Sequence, residues 1–426
     1  MIEDGQRKKT LQNAKIEEAD YFIATTNSDE ANLISCSLVR ELAPRVVCIA
    51  RLRNSKYLEF IQSIKSSFNI TEVVQPEREI AISIVRSIEY GRGVSDAFSF
   101  IDFNHILIRS YTIPQNSPLI EKRLSELADT IELPAEIADN YLVAMIQRHD
   151  QTFLPTGEYV LQEGDELYII GNLTDLDRIF ENLGSNSKES RSIRKIMIIG
   201  GGVITSQILD IFSSRTYSFT RLIGKSRIPS RNFVVVESNE KICEDLSEQF
   251  PDVTVLNADV TEDHTLEDIE ISSADLVIAA TESQELNIVV AAHSHNLGVK
   301  QTHAVVKTSA YSDIAKELGI GVSFSLRGAV ASSIISYLRG KSMILNTAYG
   351  EMSMFTHKVS TGSYAYGKQI RDLAIPKNSL IVCVNRNDRS FIARGNIEIQ
   401  EQDQLLIMCQ ENSWEKVNAL FNTTKR

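Results

Sequence analysis

The sequence predicts an α/β chain in which doubly wound parallel sheets alternate with small α+β lobes, the whole arrangement being duplicated. Three observations lead there. A stretch near the start recurs in the second half; a strand running into a glycine turn and a helix opens that second half; and short apolar strands alternate with helical patterns through each copy. A length of 426 residues sets a prior of two to four domains.

Lys9–Asn32 reads KTLQNAKIEEADYFIATTNSDEAN and His264–Asn287 reads HTLEDIEISSADLVIAATESQELN. Each copy then runs through a helix, a strand and a tyrosine: Val46–Arg53 with Tyr57, and Ala304–Lys307 with Tyr311. The second parts of the copies also correspond, PTGEYVLQEGDELYII against ARGNIEIQEQDQLLIM. Both alternate around a turn and then a Glu-x-Asp hairpin turn. The expected organisation is therefore residues 1–95 as a first, partial parallel-sheet lobe and 96–184 as its small companion lobe. A polar linker follows at 185–194, then a second parallel-sheet lobe at 195–341 and a second small lobe at 342–426.

In the second large lobe, strands are expected at Ile193–Gly200, Asn232–Glu237, Val253–Asn257 and Ala274–Ala280, with helices at Val203–Phe212 and Lys241–Phe250. Gly200-Gly201-Gly202-Val203-Ile204 lies between a strand and a helix, the context in which a glycine run becomes a phosphate-binding turn. Gly200 permits the tight turn, Gly202 lets backbone approach a pyrophosphate, and the helix start offers unpaired N–H groups. The third glycine position is Thr205, expected to loosen helix–strand packing or shift the turn. Glu237 ends the next strand, where a carboxylate accepts ribose hydroxyls and repels a 2′-phosphate, favouring NAD(H). Its distance from Gly202 is long, and the excess sits in the basic, Ser-rich stretch Ser213–Arg231, which reads as an inserted loop. Asp259 follows the third strand on the adenine side; Thr281 and Lys307 end the fourth and fifth. The plainer reading of the three glycines is a tight turn with no ligand.

Bulk properties exclude several classes. A formal net charge of -12 argues against nucleic acid and against an anionic membrane surface as main partners. Five cysteines at irregular spacings read as buried reduced thiols in a reducing compartment. Met1–Glu18 is polar and carries no signal-peptide pattern, and no run approaches the ~20 apolar residues of a membrane helix. His293, His295 and His303 are expected to be solvent-facing or capping, not zinc ligands. Ser325–Gly328 and Ser332-Ser333 lack a paired His and Asp, so no hydrolase triad is expected. Asp165 and Asp403 read as turn formers and Ala135–Asp139 as a solvated acidic segment. No catalytic residue and no metal site are assigned.

On Ala24-Thr25-Thr26-Asn27-Ser28-Asp29-Glu30-Ala31-Asn32, the Ala50-Arg51 strand end, Gln75-Pro76-Glu77, the Glu163-Gly164-Asp165 hairpin and the duplicated order, the chain resembles the TrkA-type regulatory subunits of potassium transport. These consist of two RCK (KTN) modules, each a Rossmann-like N-lobe plus a C-lobe. The resemblance implies a non-enzymatic, cytoplasmic regulator that binds NAD(H) or an adenine nucleotide (ATP/ADP). It also implies a tetrameric ring beneath a TrkH/TrkG-like membrane potassium-transporter subunit. Against that pattern, Met1 falls near the end of the expected third strand of the first N-lobe, whose glycine loop is missing. What remains there is Thr26, Asn27, Asp29 and Glu30 at one strand end and Arg51 and Arg53 at the next. Two arginines on one strand face suit phosphate; alternatively they pair with Asp29, Glu30 or Glu59. Ile80–Ile88 and Val330–Leu338 read as amphipathic helices that serve either ring contacts or core packing. An NAD-dependent oxidoreductase and an RCK regulator of another cation channel or antiporter are the competing functions.

Overall fold

A computed structural model of the protein describes residues 4–54, 57, 60–90, 106–149, 151–184, 193–213, 231–308, 310–338, 343–347, 350–387, 389–410 and 413–422. In the first N-lobe a short helix α1 (Lys8–Asn13) precedes β1 (Tyr21–Ala24), α2 (Asp29–Leu42), β2 (Val47–Arg51), α3 (Ile61–Ser67), β3 (Glu72–Val74) and α4 (Pro76–Tyr90). The strands form a three-stranded parallel sheet in the order β1-β2-β3. Buried Cys36, Val39, Cys48 and Ala50 hold α2 against it. Ser28 starts α2 by accepting a hydrogen bond from the Ala31 N–H at 3.1 Å.

The first C-lobe contains β4 (Ile106–Thr112), α5 (Leu127–Thr130), α6 (Ala135–Ala138), β5 (Tyr141–Arg148), β6 (Gln151–Phe153), β7 (Glu166–Asn172) and α7 (Leu173–Asn182). Its sheet is antiparallel, in the order β4-β7-β5-β6.

The second N-lobe runs β8 (Lys195–Ile199), α8 (Val203–Ser213), β9 (Asn232–Glu237), α9 (Glu240–Gln249), β10 (Thr254–Asn257), α10 (Thr265–Asp268), β11 (Leu276–Ala279), α11 (Gln284–Asn296), β12 (Gln301–Val306), α12 (Ala310–Glu317), β13 (Val322–Ser325) and α13 (Leu326–Leu338). Its six strands are ordered β10-β9-β8-β11-β12-β13. The order reverses beside β8, which makes the carboxyl ends of β8 and β11 the switch point where ligands of open parallel sheets bind. The expected strands and helices are all present, within a few residues at each end. The Ser213–Arg231 insertion lies, from 214 to 230, outside the described residues.

The second C-lobe holds β14 (Met343–Thr347), β15 (Gly350–Lys358), β16 (Ser379–Arg386), β17 (Arg389–Ile392), β18 (Gln404–Gln410) and α14 (Trp414–Asn422), with strand order β14-β15-β18-β16-β17. The fold class expected from the sequence is thus present: parallel Rossmann-like sheets alternate along the chain with small antiparallel ones, in duplicate.

Compactness groups like with like. One unit comprises residues 1–82, 197–213 and 233–334 and so brings both N-lobes together; the other comprises 83–196 and 335–426 and contains both C-lobes. Within the N-lobe unit, Arg78 of α4 donates to Gln207 of α8 at 3.3 Å. Within the C-lobe unit the two antiparallel sheets share a core, Ile108, Met145 and Ile170 from one meeting Met354, Cys383 and Met408 from the other. Arg394 of the second C-lobe donates to the carbonyls of Ala138 (3.1 Å) and Tyr141 (3.0 Å) in the first, so Ala135–Asp139 is not merely solvated.

Further expectations need correction here. Asp165 and Asp403 do sit at hairpin turns, but both are fully buried. Asp165 accepts two hydrogen bonds from Arg148 (2.6 and 2.8 Å) and Asp403 two from Arg386 (2.8 and 2.7 Å), the same ion pair in each copy. These carboxylates bind each hairpin to its sheet. Ile80, Ile84 and Ile88 of α4 are buried, which is the core-packing reading; Val330, Ile334 and Leu338 of α13 are only half-buried. All five cysteines are buried free thiols, as expected. Among the described residues no helix is long and apolar enough to cross a membrane.

Candidate functional site

The three glycines have three different roles. Gly200 has φ +104°, and a Cβ there would lie 2.9 Å from both the Ala280 carbonyl and the Thr281 nitrogen, so only glycine fits between β8 and β11. A Cβ on Gly201 would meet Ile242 and Leu246 at 2.9 Å, which presses this residue against α9. Gly202 has nothing within 4 Å of that position: its bare face opens outward at the start of α8. Thr205, expected to loosen the packing or shift the turn, instead tightens the packing. It is fully buried and its hydroxyl donates to the Gly200 carbonyl at 2.5 Å, fastening the helix to the turn.

Glu237 is held at the end of β9 by three groups. One carboxylate oxygen accepts the Gly201 N–H at 2.7 Å; the other accepts the Asn239 N–H at 2.8 Å and the Ser238 hydroxyl at 3.3 Å. The side chain is thereby fixed beside the glycine turn. Asp259 accepts from the Thr261 N–H and hydroxyl, and these bonds hold its carboxyl below the usual range, so it is a fixed anion at the end of β10.

Gly200, Gly202, Val203, Ile204, Glu237, Asp259, Thr281 and Lys307 line one cleft of about 1240 Å³. Gly201 points into the fold instead. The opposite wall comes from the first N-lobe, through Ser28, Asp29, Arg53 and Glu77.

The repeated Thr…Asn pattern proves to be architectural. Asn32 accepts from the Thr26 N–H (2.9 Å) and hydroxyl (2.7 Å) and donates to the Arg51 carbonyl (2.9 Å). Asn287 repeats this with Thr281 and the Val305 carbonyl. Each buried asparagine joins two adjacent strand ends, a role sequence reasoning missed, although its recurrence at matching places in both copies was the available signal. Thr26 lies off the cleft and its hydroxyl is engaged by Asn32.

Among the described residues Arg51 and Arg53 do pair with an acid, but not with Asp29 or Glu30; Glu59, the third candidate, lies outside the described residues. Both reach one oxygen of Glu77, Arg53 Nε at 3.4 Å and Arg51 at 3.7 Å. Asp29 instead accepts the backbone N–H groups of Arg53 and Asn54 at 2.8–3.0 Å. Of the two arginines only Arg53 lines the cleft.

The histidines do not converge: among the described residues no group of His, Cys, Asp and Glu is arranged to hold a metal. His303 departs from expectation, being buried in β12 with its ring edge on Phe324. The residues present fit a dinucleotide. Helix-start N–H groups, an open glycine face for the pyrophosphate and a fixed carboxylate for the ribose stand around one cleft.

Comparison with known proteins accounts for both halves of each repeat. The TrkA-N domain model matches residues 1–76 and 196–326, and the TrkA-C domain model matches 108–184 and 354–422. The chain is 26% identical over 416 residues to a Trk system potassium uptake protein TrkA homolog of Archaeoglobus fulgidus, covering 97% of this chain and 88% of that protein. It is 25% identical over 416 residues to the TrkA protein of Halomonas elongata, covering 95% and 84%. Among solved structures, the GsuK channel bound to NAD superposes with a TM-score of 0.53 at 19% identity, covering 98% of this chain and 70% of that one. The GsuK channel in a second structure gives 0.55 at 18% identity, with the same coverage.

Proposed function

The chain belongs to the TrkA family, with TrkA-N and TrkA-C domains each present twice, and from that premise we propose that its second N-lobe is the nucleotide sensor of a potassium-uptake system. The ligand is NAD(H), with ADP or ATP as lesser occupants of the same turn. The observation that carries this reading is the open face of Gly202 at the start of α8, beside a Glu237 carboxylate already held in place.

Each residue then has a task. The first N–H groups of α8 receive the pyrophosphate, aided by the helix dipole. Glu237 accepts the adenosine ribose hydroxyls and, being anionic, disfavours a 2′-phosphate. Asp259 borders the adenine side, while Thr281 and Lys307 border the far end of the cleft. Among the described residues the glycine turn occurs once, so one dinucleotide per chain is expected.

TrkA-family regulatory subunits are non-enzymatic, which removes the oxidoreductase alternative. Ligand binding acts by differential affinity for two states of an assembly. That assembly is a ring, tetrameric in its simplest form, at the cytoplasmic face of the membrane beneath a potassium-translocating subunit of the TrkH/TrkG type. The chain reaches the membrane through that partner. The Trk-system names of its relatives, over nearly their full length, support this placement.

The test is Glu237→Ala, titrated calorimetrically with NADH and NADPH. Loss of a charged hydrogen-bond acceptor should weaken NADH by about 1.5–3 kcal/mol and narrow the preference over NADPH. NADH affinity equal to wild type would remove the assignment.

A further inference from the structure

The two N-lobes differ at one place in a way that bears on ligand binding. Asn32 and Asn287 make equivalent bonds to the carbonyls of Arg51 and Val305, which equates those positions. Arg53 then corresponds to Lys307. Counting on from the paired residues Val74 and Phe324, Glu77 corresponds to Arg327. The first lobe has thus placed an acid, beside two arginines, where the second lobe has a base.

The geometry of that acid is unusual. Both arginines approach the same oxygen, at 3.4 and 3.7 Å, longer than the ~2.7–2.9 Å of a strong Arg–carboxylate bond. The other Glu77 oxygen and Arg51 Nε are buried without a hydrogen-bond partner among the described residues. The Glu77 side chain is 12% exposed, whereas the Arg53 side chain is 51% exposed and borders the same cleft as Gly202.

We propose that Glu77 is a resident anion that withholds Arg53 from the phosphates of a ligand in the cleft, making the first N-lobe a competitor at the second lobe's site. The proposal rests on the nucleotide reading above and adds to it a residue that sets affinity. Arg53 is the partner free to leave, because its side chain is half exposed whereas that of Arg51 is 17% exposed. Arg51 stays with the buried carboxylate, so the exchange does not strand a charge. A phosphate that captures Arg53 joins the first lobe to the second, and this links nucleotide binding to the contact between the N-lobes.

The experiment is a double-mutant cycle on the full chain, with ADP and adenosine as calorimetric probes. Glu77→Gln should tighten ADP about tenfold and leave adenosine unchanged, while Arg53→Gln should weaken ADP by about the same factor. In the Arg53→Gln background, Glu77→Gln should change nothing. An equal gain from Glu77→Gln in that background would mean a long-range field effect and would overturn the proposal, as would no gain in the single variant. Should Glu77→Gln fail to fold, Arg53→Gln decides alone: ADP weakened with adenosine unchanged supports the exchange, and parallel changes in both probes refute it. Wild-type protein that binds neither NADH nor ADP would remove the nucleotide reading itself, whereas ADP binding with an inert Glu77→Gln removes only the role of Glu77.

Discussion

Gly202→Ala separates the fold from the ligand at a single methyl group. In the free protein the change is nearly silent, because nothing lies within 4 Å of the new Cβ and the backbone there is not left-handed. Two small terms oppose each other. Gly202 precedes the first residue of α8 and alanine is a poorer N-cap than glycine, which costs up to about 1 kcal/mol. The stiffer unfolded chain returns about 0.4–1 kcal/mol. The net effect on stability should stay within about 1 kcal/mol. With ligand the same methyl occupies the path of the pyrophosphate, and overfilling of this kind costs about 1–3 kcal/mol, or roughly 5- to 150-fold in affinity. Gly200→Ala is the contrasting control: at φ +104° and 2.9 Å from backbone atoms of β11's end, it should destabilise the free protein by at least about 1–3 kcal/mol. The assay pairs chemical denaturation with calorimetric titration of NAD(H). A Gly202→Ala protein of wild-type stability that binds NAD(H) as tightly as wild type would refute the placement of the pyrophosphate over this turn.

Two further outcomes follow from the C-lobes. Asp403→Ala removes the carboxylate that pairs with Arg386 and accepts the Gln400 N–H, leaving Arg386 only its bond to the Glu398 carbonyl; since the guanidinium keeps that bond and some water, the cost should be about 3 kcal/mol in urea denaturation, and a loss below about 1 kcal/mol would contradict the structural role. His357, on β15 against the Phe421 ring, has its pKa lowered from 6.5 by burial. The unfolded chain therefore takes up the proton first, so stability holds above pH 6.5 and falls as pH drops toward the lowered folded value. A His357→Leu variant should lack that decline, and identical pH profiles between pH 8 and 5 would count against it.

Legibility in the sequence followed the range of the interactions. The places of Gly200, Gly202 and Glu237 at the turn and the strand end were readable because they depend on local context: a strand, a turn and a helix in succession. Thr205 was misread because only the departure from glycine was weighed, whereas its hydroxyl completes the turn. Arg51 and Arg53 posed a different problem. Their partner Glu77 lies across the β2–β3 pairing, so only the register of Arg51 with Val74 brings it near. Asp165 and Asp403 were correctly placed in turns, but turn propensity says nothing about burial, which depends on an arginine across the sheet. The order N-lobe, C-lobe, N-lobe, C-lobe was plain from the repeat, yet the grouping of like lobes was not, since it is decided by which faces pack.

The Arg394 contact shows what a tandem arrangement permits. In an assembly of two identical chains related by a twofold axis, every contact is made twice, and any substitution alters both copies at once. Here the residue matching Arg394 in the first C-lobe is Thr156, so the bonds to Ala138 and Tyr141 have no mirror image. Covalent linkage has freed the two halves from reciprocity. One half can evolve as host and the other as guest, and a substitution at either side is felt once per chain.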